Sequence, residues 1–382
     1  CTQSSLSGRP QASYATIPHT SISPSGKQGA PLVYPQNENE IMKKHIRIRF
    51  VDFWDDFVPE KNIFYQLLCQ HYDVELSDTP DYIFCSVFGE EHLRYDCVKI
   101  FYTGENQCPD FNLYDYALGF EHMTLGDRYM RLPICYLNRY QESFRLMQEK
   151  HIKPAPEKTG FCSFVYSNDR ASAVREQFFD QLSSYKQVSS GGRYRNNIGG
   201  PVADKLAFEL EHKFSFSFEN SSYPGYCTEK LVQSFAAQTV PIYWGDPTAA
   251  DTFNEEAFIN CNRYSSWDEV LEAIKRIDAD PALYEHMLQA PALKHPERDS
   301  VEAKMNELTD FLCHIIDQPL GQAQRYNRVY WGHRYVKRMK QHAKAYHNSP
   351  RGIAERLYMK YFWKHRRKGI LWKIDRLIKR FA

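Results

Sequence analysis

The chain has 382 residues, of which 42% are apolar and 15% aromatic, which is enough material for two domains that each bury a core. Its ten cysteines form no CxxC pair and no Cys/His cluster, so a zinc site or a disulfide scaffold is not expected and the thiols should be reduced and mostly buried. The sequence contains no run of about 18 apolar residues and no signal-peptide pattern, so no membrane-spanning helix is expected in it.

The net charge of +1 conceals a strong asymmetry along the chain. Residues 321–382 contain 18 Lys and Arg against two acids, whereas the first 320 residues contain 30 bases and 45 acids. The segment 319–382 is therefore predicted to be a basic tail with a function of its own.

Residues 1–40 are rich in Ser, Pro, Gly and Gln without periodicity, which predicts a disordered leader. The first residue is Cys1, which fits either a trimmed chain or a lipidated mature N-terminus. Residues 41–150 are predicted to form a first α/β domain. Its elements are an alternating strand from His45, a helix over 61–71, and strands in DYIFCSVF and VKIFYTGEN.

The last of these strands leads into Thr103, Gly104, Glu105 and Asn106. A carboxylate that a glycine turn presents at the carboxyl end of a strand is a candidate catalytic base, although acids at surface turns are common. From these residues alone, Glu105 is either a general base or a solvated surface acid.

Residues 151–318 are predicted to form a second α/β domain after a linker rich in Pro and Lys. The domain opens with a strand in GFCSFVYSN and a helix over 170–182. Residues 191–200, GGRYRNNIGG, follow, and their four glycines and two arginines suit a phosphate cradle. No GxGxxG or Walker pattern is present, so a mobile surface loop is the alternative.

The stretch FSFSFENSSYPGYCTEKLVQSFAAQTVPIYWGDP, residues 214–247, predicts a strand, a loop, a helix and a second strand, which make one βαβ unit of a parallel sheet. The alternating Phe and Ser predict a first strand with one buried face, and Thr228 is the predicted N-cap. Five polar residues gather at the strand-to-helix corner: Glu219, Asn220, Tyr226, Glu229 and Lys230. They suit a ligand with hydroxyls and phosphates, or they merely cap a helix.

Asp278 and Asp280 form an Asp-x-Asp pair, a pattern that holds a divalent cation in some nucleotide-sugar enzymes. The pair lies between two predicted helices, directly before Pro281, where Asp280 makes an ordinary N-cap. No metal site is therefore predicted.

The tail ends in GILWKIDRLIKRFA, in which apolar residues recur at helical spacing and Lys and Arg occupy the opposite side. Such a helix binds either an anionic membrane surface or nucleic acid. The continuous apolar stripe and the lack of a nucleic-acid motif favour the membrane.

Residues 45–317 resemble the α-1,3/4-fucosyltransferases, and the bacterial members most of all. The resemblance rests on FEN, YCTEK and VPIYWG in that order, and on FYTGEN followed by FNLYDYALGF and DRYMRLP. It implies two Rossmann-like domains facing a cleft (GT-B type), with a basic helical C-terminal tail added to them. It also implies transfer of L-fucose from GDP-fucose to the 3-hydroxyl of GlcNAc or Glc in lactosamine-type glycans, with inversion, to give Lewis-type structures.

The resemblance also implies roles for single residues. Glu105 matches the proposed general base, and the Gly-Gly-x-x-Arg-Asn segment makes Arg195 a ligand of the donor pyrophosphate together with Lys230. Tyr226 and Glu229 are expected to orient ribose or phosphate groups. Glu219 is expected to face the fucose, and Asn220 is a weaker donor-binding candidate. Cationic side chains are expected to take the place of a metal ion at the diphosphate. GDP-fucose is then the donor substrate, and no cofactor is required.

The expected location is the bacterial cytoplasm, peripheral on the inner membrane, since the N-terminal anchor typical of Golgi relatives does not occur in this sequence. The heptad repeats of some bacterial members do not occur either, which leaves the oligomeric state open. The natural acceptor, for which a lipopolysaccharide chain is one candidate, is not predicted. Two alternatives stay open as well: an inverting GT-B transferase for another nucleotide sugar, and a non-catalytic protein that binds glycans or membranes. The preference between 1,3 and 1,4 linkage is not predicted.

Overall fold

The computed structural model describes residues 43–137, 140–150, 156–168, 171–326 and 329–358. Eleven named strands and twelve named α-helices fall in these ranges. The strands are β1 His45–Val51, β2 Asp73–Leu76, β3 Tyr82–Cys85, β4 Val98–Tyr102, β5 Tyr116–Gly119, β6 Tyr129–Arg131, β7 Gly160–Phe164, β8 Val188–Ser190, β9 His212–Phe218, β10 Val240–Trp244 and β11 Ile259–Asn260. The helices are α1 Ile63–His71, α2 Gln141–Gln148, α3 Ala173–Tyr185, α4 Lys205–Leu210, α5 Glu229–Ala236, α6 Trp267–Ala279, α7 Pro281–Gln289, α8 Pro296–Asp299, α9 Val301–Asp317, α10 Leu320–Ala323, α11 Tyr330–Asn348 and α12 Pro350–Leu357.

Two parallel sheets organise the fold. The first has the order β2-β1-β3-β4-β5-β6 and the second the order β11-β10-β9-β7-β8, and the pairings within each are parallel. This confirms the predicted fold of two Rossmann-like halves and the βαβ unit β9-α5-β10. Ligands of such sheets bind beyond the carboxyl ends of the strands.

The expectation of a single buried face on β9 is wrong. Ser215 and Ser217 are as fully buried as the Phe residues between them, because β9 lies in the middle of its sheet and has helices on both sides. The hydroxyl groups are satisfied within the protein: Ser234 of α5 bonds to Ser217 at 2.6 Å and donates to Ser215 at 2.9 Å. The alternation of Phe and Ser therefore separates an aromatic layer from a polar layer, and both are buried.

The chain returns to the first sheet after completing the second. Helix α9 packs against α1, and its last turns are fixed to the first sheet where Tyr72 donates to Asp317 at 2.9 Å and Tyr82 donates to the Ile316 carbonyl at 3.3 Å. One continuous apolar core joins β1, β3 and β4 to α5 and α9. The residues after the second sheet thus stabilise the first.

The described part of the basic tail also contacts the first sheet. The buried Asp115 accepts backbone N–H groups of Arg325 and Tyr326, the latter at 2.8 Å, and the ring of Tyr326 covers the Lys99 ammonium at 4.9 Å. Within the described ranges, no helix has both the length and the apolar character needed to cross a bilayer.

Three predicted segments fall wholly or partly outside the described residues. They are the leader 1–40, the start of the linker at 151–155, and the amphipathic helix predicted in GILWKIDRLIKRFA. The domain boundaries at 40, 150 and 318 stay predictions.

Candidate active site

Glu105 lies where the sequence predicted it, on the loop that follows β4 at the carboxyl edge of the first sheet. The loop begins with a tight turn in which the Glu105 backbone N–H donates to the buried Thr103 hydroxyl at 3.0 Å. The Glu105 side chain is exposed, and no hydrogen bond to its carboxylate occurs within the described ranges. A carboxylate held only through its backbone is available to accept a proton.

Glu219, at the end of β9, has the opposite environment. It is fully buried, and its carboxylate accepts three hydrogen bonds: from the Thr228 backbone N–H at 2.7 Å, from the Thr228 hydroxyl at 2.6 Å and from the Lys230 ammonium at 2.9 Å. Such a donor set is the environment of an ionised carboxylate. The Thr228 side chain does not cap α5, although Thr228 is the N-cap residue, because its hydroxyl is used by Glu219.

Glu229 and Lys230 open helix α5 directly above this carboxylate. Burial alone would lower the pKa of Lys230, but the Glu219 and Glu229 carboxylates raise it above its ordinary value, so the ammonium stays charged. Burial likewise opposes ionisation of Glu229, yet the cations Lys230 and Lys205 hold the pKa of Glu229 below its ordinary value. Burial raises the pKa of Glu219, and the charge of Lys230 opposes that rise. The corner therefore places two acids around one preorganised cation.

The loop between β9 and α5 is held against the first sheet. Gly225 has φ +84°, and a Cβ there would lie 2.2 Å from the Phe120 carbonyl oxygen, so only glycine fits. Its N–H donates to the buried Asp246 at 2.7 Å, and the next residue, Tyr226, packs its ring against that of Phe120 at 5.1 Å. Burial, and then the negative charge of Glu219, raises the pKa of Tyr226, which keeps its hydroxyl protonated.

Side-chain hydrogen bonds cross from the carboxyl edge of one sheet to that of the other. The Asn106 amide donates to the Ser221 hydroxyl at 2.8 Å, and the His122 ring bonds to the Thr248 hydroxyl at 2.9 Å. Asn106 is adjacent to Glu105, and Ser221 lies two residues after Glu219. The two predicted catalytic segments are thus neighbours across a cleft.

Asn220 contacts an arginine, Arg175, that the sequence pattern did not predict as part of the site. The guanidinium of the buried Arg175, in the first turn of α3, contacts the Asn220 side-chain oxygen at 3.4 Å, donates to the Asn168 carbonyl at 2.5 Å and lies 4.2 Å from the centre of the Tyr166 ring. The sequence pattern that would predict Arg175 is the one that applies to Lys230: a cation in the first turn of a helix that follows the carboxyl end of a strand.

The structure does not bring Arg195 into this cluster. Its backbone has the left-handed φ of +54°, and its guanidinium turns to helix α3, where it pairs with Asp180 at 3.0 Å and Glu176 at 3.4 Å over the ring of Phe179. The donor-binding role of Arg195 therefore stays a prediction.

The Asp-x-Asp pair behaves as an ordinary structural element. Asp280 caps α7 by accepting N–H groups of Ala282 and Leu283 at 3.0 and 3.1 Å, which confirms the predicted N-cap. Asp278 pairs with Lys186 and with Lys213, the latter at 2.5 Å. Nowhere in the described ranges do three His, Cys, Asp or Glu side chains form a group that could hold a metal ion.

Two parallel α/β sheets whose carboxyl edges face each other, with an exposed carboxylate on one and a preorganised cation on the other, have the arrangement of the GT-B fold class. Solved structures agree. A crystal structure of an α1,3-fucosyltransferase with GDP-fucose matches 71% of this chain and 91% of its own, with 27% identity and a TM-score of 0.59.

Two family models match consecutive parts of the chain. The FucT N-terminal domain of α-(1,3)-fucosyltransferases covers residues 48–138, and the C-terminal domain of glycosyltransferase family 10 (fucosyltransferase) covers residues 155–346, about half of the chain. The chain belongs to glycosyltransferase family 10, the fucosyltransferases. The recognised resemblance is confirmed.

Among curated relatives, the α-(1,3)-fucosyltransferase FucT of Helicobacter pylori is 34% identical over 284 residues, which are 64% of this chain and 59% of that protein. The 4-galactosyl-N-acetylglucosaminide 3-α-L-fucosyltransferase 9 of Bos taurus is 31% identical over 134 residues, 34% of this chain and 36% of that protein. The chain thus spans about three fifths of the Helicobacter relative's length.

Proposed function

We propose that the chain is an α-1,3-fucosyltransferase that moves L-fucose from GDP-fucose to the 3-hydroxyl of GlcNAc or Glc in lactosamine-type glycans. The observation that carries the proposal is the hydrogen bond from Asn106 to Ser221 at 2.8 Å, which brings the segment of the exposed Glu105 next to the segment that holds Glu219 and Lys230. Membership of family 10 supports the donor, and the name of the bovine relative supports the acceptor.

In this reaction Glu105 takes the proton of the acceptor 3-hydroxyl. The acceptor oxygen forms a bond to the anomeric carbon of β-L-fucose while the bond from that carbon to the diphosphate oxygen breaks on the opposite face, and GDP leaves. One displacement gives an α-linkage with inversion. An exposed carboxylate on a short turn suits this role, because the acceptor must reach it from solvent.

The donor end of the site stabilises the charge that builds on the departing diphosphate. Lys230 has three N–H donors, and Glu219 and Thr228 accept two of them at 2.9 and 2.8 Å. The third faces Glu229 at 3.5 Å, beyond the usual length of a hydrogen bond, and a diphosphate oxygen would accept it in preference. Glu219 acts by holding Lys230, and the burial of its carboxylate favours this positioning role over direct contact with the sugar. Tyr226 and Glu229 offer a hydroxyl and a carboxylate to ribose or phosphate groups.

The second cation at the donor end is better supplied by Arg175 than by Arg195. Arg175 lies against Asn220, one residue after Glu219, and is buried, so it would act on the diphosphate through its charge rather than by direct contact. The charge of Arg195 is compensated by the two acids of α3. The two assignments are separable: Arg175→Met should weaken GDP binding strongly, and Arg195→Met only weakly. Fluorescence titration with GDP measures both.

We propose that the transfer needs no divalent metal, since Lys230 and Arg175 already supply positive charge to the diphosphate. The test combines purified protein, GDP-fucose and N-acetyllactosamine, with and without EDTA, beside GDP-mannose and donor-only controls. A trisaccharide made from GDP-fucose alone and unaffected by EDTA is the expected result.

The same assay separates the alternatives. Product from another nucleotide sugar but not from GDP-fucose would replace the donor assignment. Release of GDP from GDP-fucose without trisaccharide would keep the donor and reject lactosamine as acceptor. Absence of turnover with every donor, together with retained glycan binding, would favour a non-catalytic binding protein.

We further propose that the tail carries the enzyme to an anionic membrane surface, at the cytoplasmic face of a bacterial inner membrane. The outward side of α11 supports this, because it exposes five cations and no acid: Arg334, Lys337, Arg338, Lys340 and Lys344. Trp331, at the start of the same helix, is 66% exposed, as expected of an aromatic that enters a lipid interface.

A further inference from the structure

Helix α11 belongs by sequence to the basic tail, but one of its faces is packed on the body of the protein. The residues that lose exposure recur every three or four positions, as one side of a helix does. They are Gly332, Tyr335, Val336, Met339, Ala343 and His347. The helix therefore has an inner face toward the first sheet and an outer, basic face toward solvent.

The inner face is bound to loops at the carboxyl edge of the first sheet. The Tyr335 hydroxyl donates to the Asp110 carboxylate at 2.5 Å, a distance typical of a short charge-assisted hydrogen bond. Farther along the helix, His347 meets Glu90 at 3.0 Å. Asp110 follows Glu105 by five positions in the loop between β4 and β5.

Asp110 is the centre of that loop. One carboxylate oxygen accepts the backbone and side-chain N–H groups of Asn112, both at 2.9 Å, and the Asp110 carbonyl accepts the N–H groups of Leu113 and Tyr114 at 2.8 and 3.0 Å. The other carboxylate oxygen accepts the bond from Tyr335. The loop is thus folded on Asp110 and fixed to α11 through the same side chain.

Glu105 depends on this anchorage, because its own carboxylate accepts no hydrogen bond within the described ranges. Its position follows from the loop backbone, which Thr103 fixes before Glu105 and which Asn106, through Ser221, and then Asp110 fix after it. A displacement of about 1 Å in a reacting group costs up to about a hundredfold in rate.

We propose that Tyr335 is a positioning residue for catalysis: its bond to Asp110 fixes the loop that presents Glu105 to the acceptor. The inference rests on the proposed role of Glu105 as the general base. It makes helix α11 part of the catalytic unit, although its composition is that of the tail.

The test compares Tyr335→Phe with Tyr346→Phe in the full chain. Tyr346 lies on the same helix and its hydroxyl also bonds a carboxylate, that of Glu355, but this partner belongs to α12. We expect Tyr335→Phe to lower kcat for transfer about tenfold with an unchanged KM for GDP-fucose, and Tyr346→Phe to leave both unchanged. Hydrogen exchange at residues 105–114 should rise only in the first variant.

Combined variants distinguish a loss of Glu105 positioning from a general loss of stability. In a Glu105→Gln background the loop no longer presents a base, so adding Tyr335→Phe should lower the residual transfer by less than twofold. A full tenfold further loss would overturn the proposal and indicate a structural effect. Asp110→Asn is the second probe: it should lower kcat similarly, and the pair with Tyr335→Phe should be no worse than either alone.

Failure of this inference differs from failure of the proposed function. If Glu105→Gln alone leaves transfer unchanged, the general base is wrong and the inference falls with it. If Glu105→Gln abolishes transfer but Tyr335→Phe and Asp110→Asn keep the original kcat, only the positioning role is rejected.

Discussion

The carboxylate of Glu219 offers the sharpest test of how the donor site is built. Glu219→Gln keeps the size of the side chain and one oxygen acceptor, but it removes the charge that faces Lys230 at 2.9 Å in a fully buried position. Breaking a buried ion pair from one side costs roughly 3–5 kcal/mol. Glu229 remains 3.5 Å from the ammonium and compensates in part, so we expect the lower end, about 3 kcal/mol.

For a chain of this size, 1 kcal/mol shifts Tm by roughly 2 °C, so the variant should unfold about 6 °C lower in calorimetry. The matched control is Glu272→Gln, which removes an exposed partner of Lys275 at 2.7 Å. Exposed pairs contribute roughly 0–1 kcal/mol, and this control should shift Tm by no more than about 2 °C. GDP binding should weaken in Glu219→Gln and not in Glu272→Gln.

The double variant Glu219→Gln with Lys230→Met removes the stranded ammonium and should recover about half of the lost stability. If Glu219→Gln and Glu272→Gln shift Tm equally, the buried pair does not stabilise this corner. If Tm falls as expected but GDP binding is unchanged, Glu219 stabilises the fold without positioning Lys230.

Three further predictions concern the general base Glu105, the fall of Tm at low pH and the basic tail. Glu105→Gln should lower kcat for transfer by roughly 10² to 10⁴, because a general base contributes that much, while GDP-fucose still binds in a titration; transfer at the original rate would remove Glu105 from the role. The pKa of Glu229 lies below its ordinary 4.5, so ionised Glu229 stabilises the fold above that pH, and the contribution is lost as the pH falls through the lowered pKa. Tm measured from pH 6 to pH 3 should therefore fall more steeply in the original protein than in Glu229→Gln, and parallel curves would contradict this. Deleting residues 349–382 should weaken sedimentation with anionic vesicles and keep transfer, because the basic face of α11 remains. Truncation after Pro319 should abolish sedimentation and also destabilise the fold, since Asp115 loses the N–H donors of Arg325 and Tyr326. Unchanged sedimentation after this truncation would assign membrane contact to another surface.

Local patterns were sufficient for most of the fold. The strand and helix periods around α1, β3, β4 and the β9-α5-β10 unit predicted elements that the structure confirms, because these segments bury their apolar side chains as the pattern requires. The stretch before residue 318 forms two helices, α8 and α9, with Ser300 between them. Ser300 caps α9 by accepting the Ala303 N–H at 3.2 Å, and this competes with helix continuation.

Fewer contacts of the candidate site could be predicted from local sequence patterns. Glu219, Glu229 and Lys230 lie within twelve positions of one another, so the sequence places them together. Arg175 approaches Asn220 from a helix 45 residues earlier, and only the packing of α3 beside β9 shows that contact. The surroundings of Arg195 could not be predicted either: its neighbouring glycines suggest a phosphate cradle, while the two acids that pair with it, Glu176 and Asp180, lie on helix α3. Its donor-binding role stays a prediction.

The return of α9 to the first sheet sets a limit on exchanging halves between members of the family. Residues 43–137 form a continuous segment, but Tyr72 and Tyr82 are bonded to the last turns of α9, and Asp115 and Asp110 to residues 325–335. A chimera that takes its N-terminal half from another member must take the matching C-terminal helices as well. Crossovers placed in the linker alone would join a sheet to helices that evolved against a different surface.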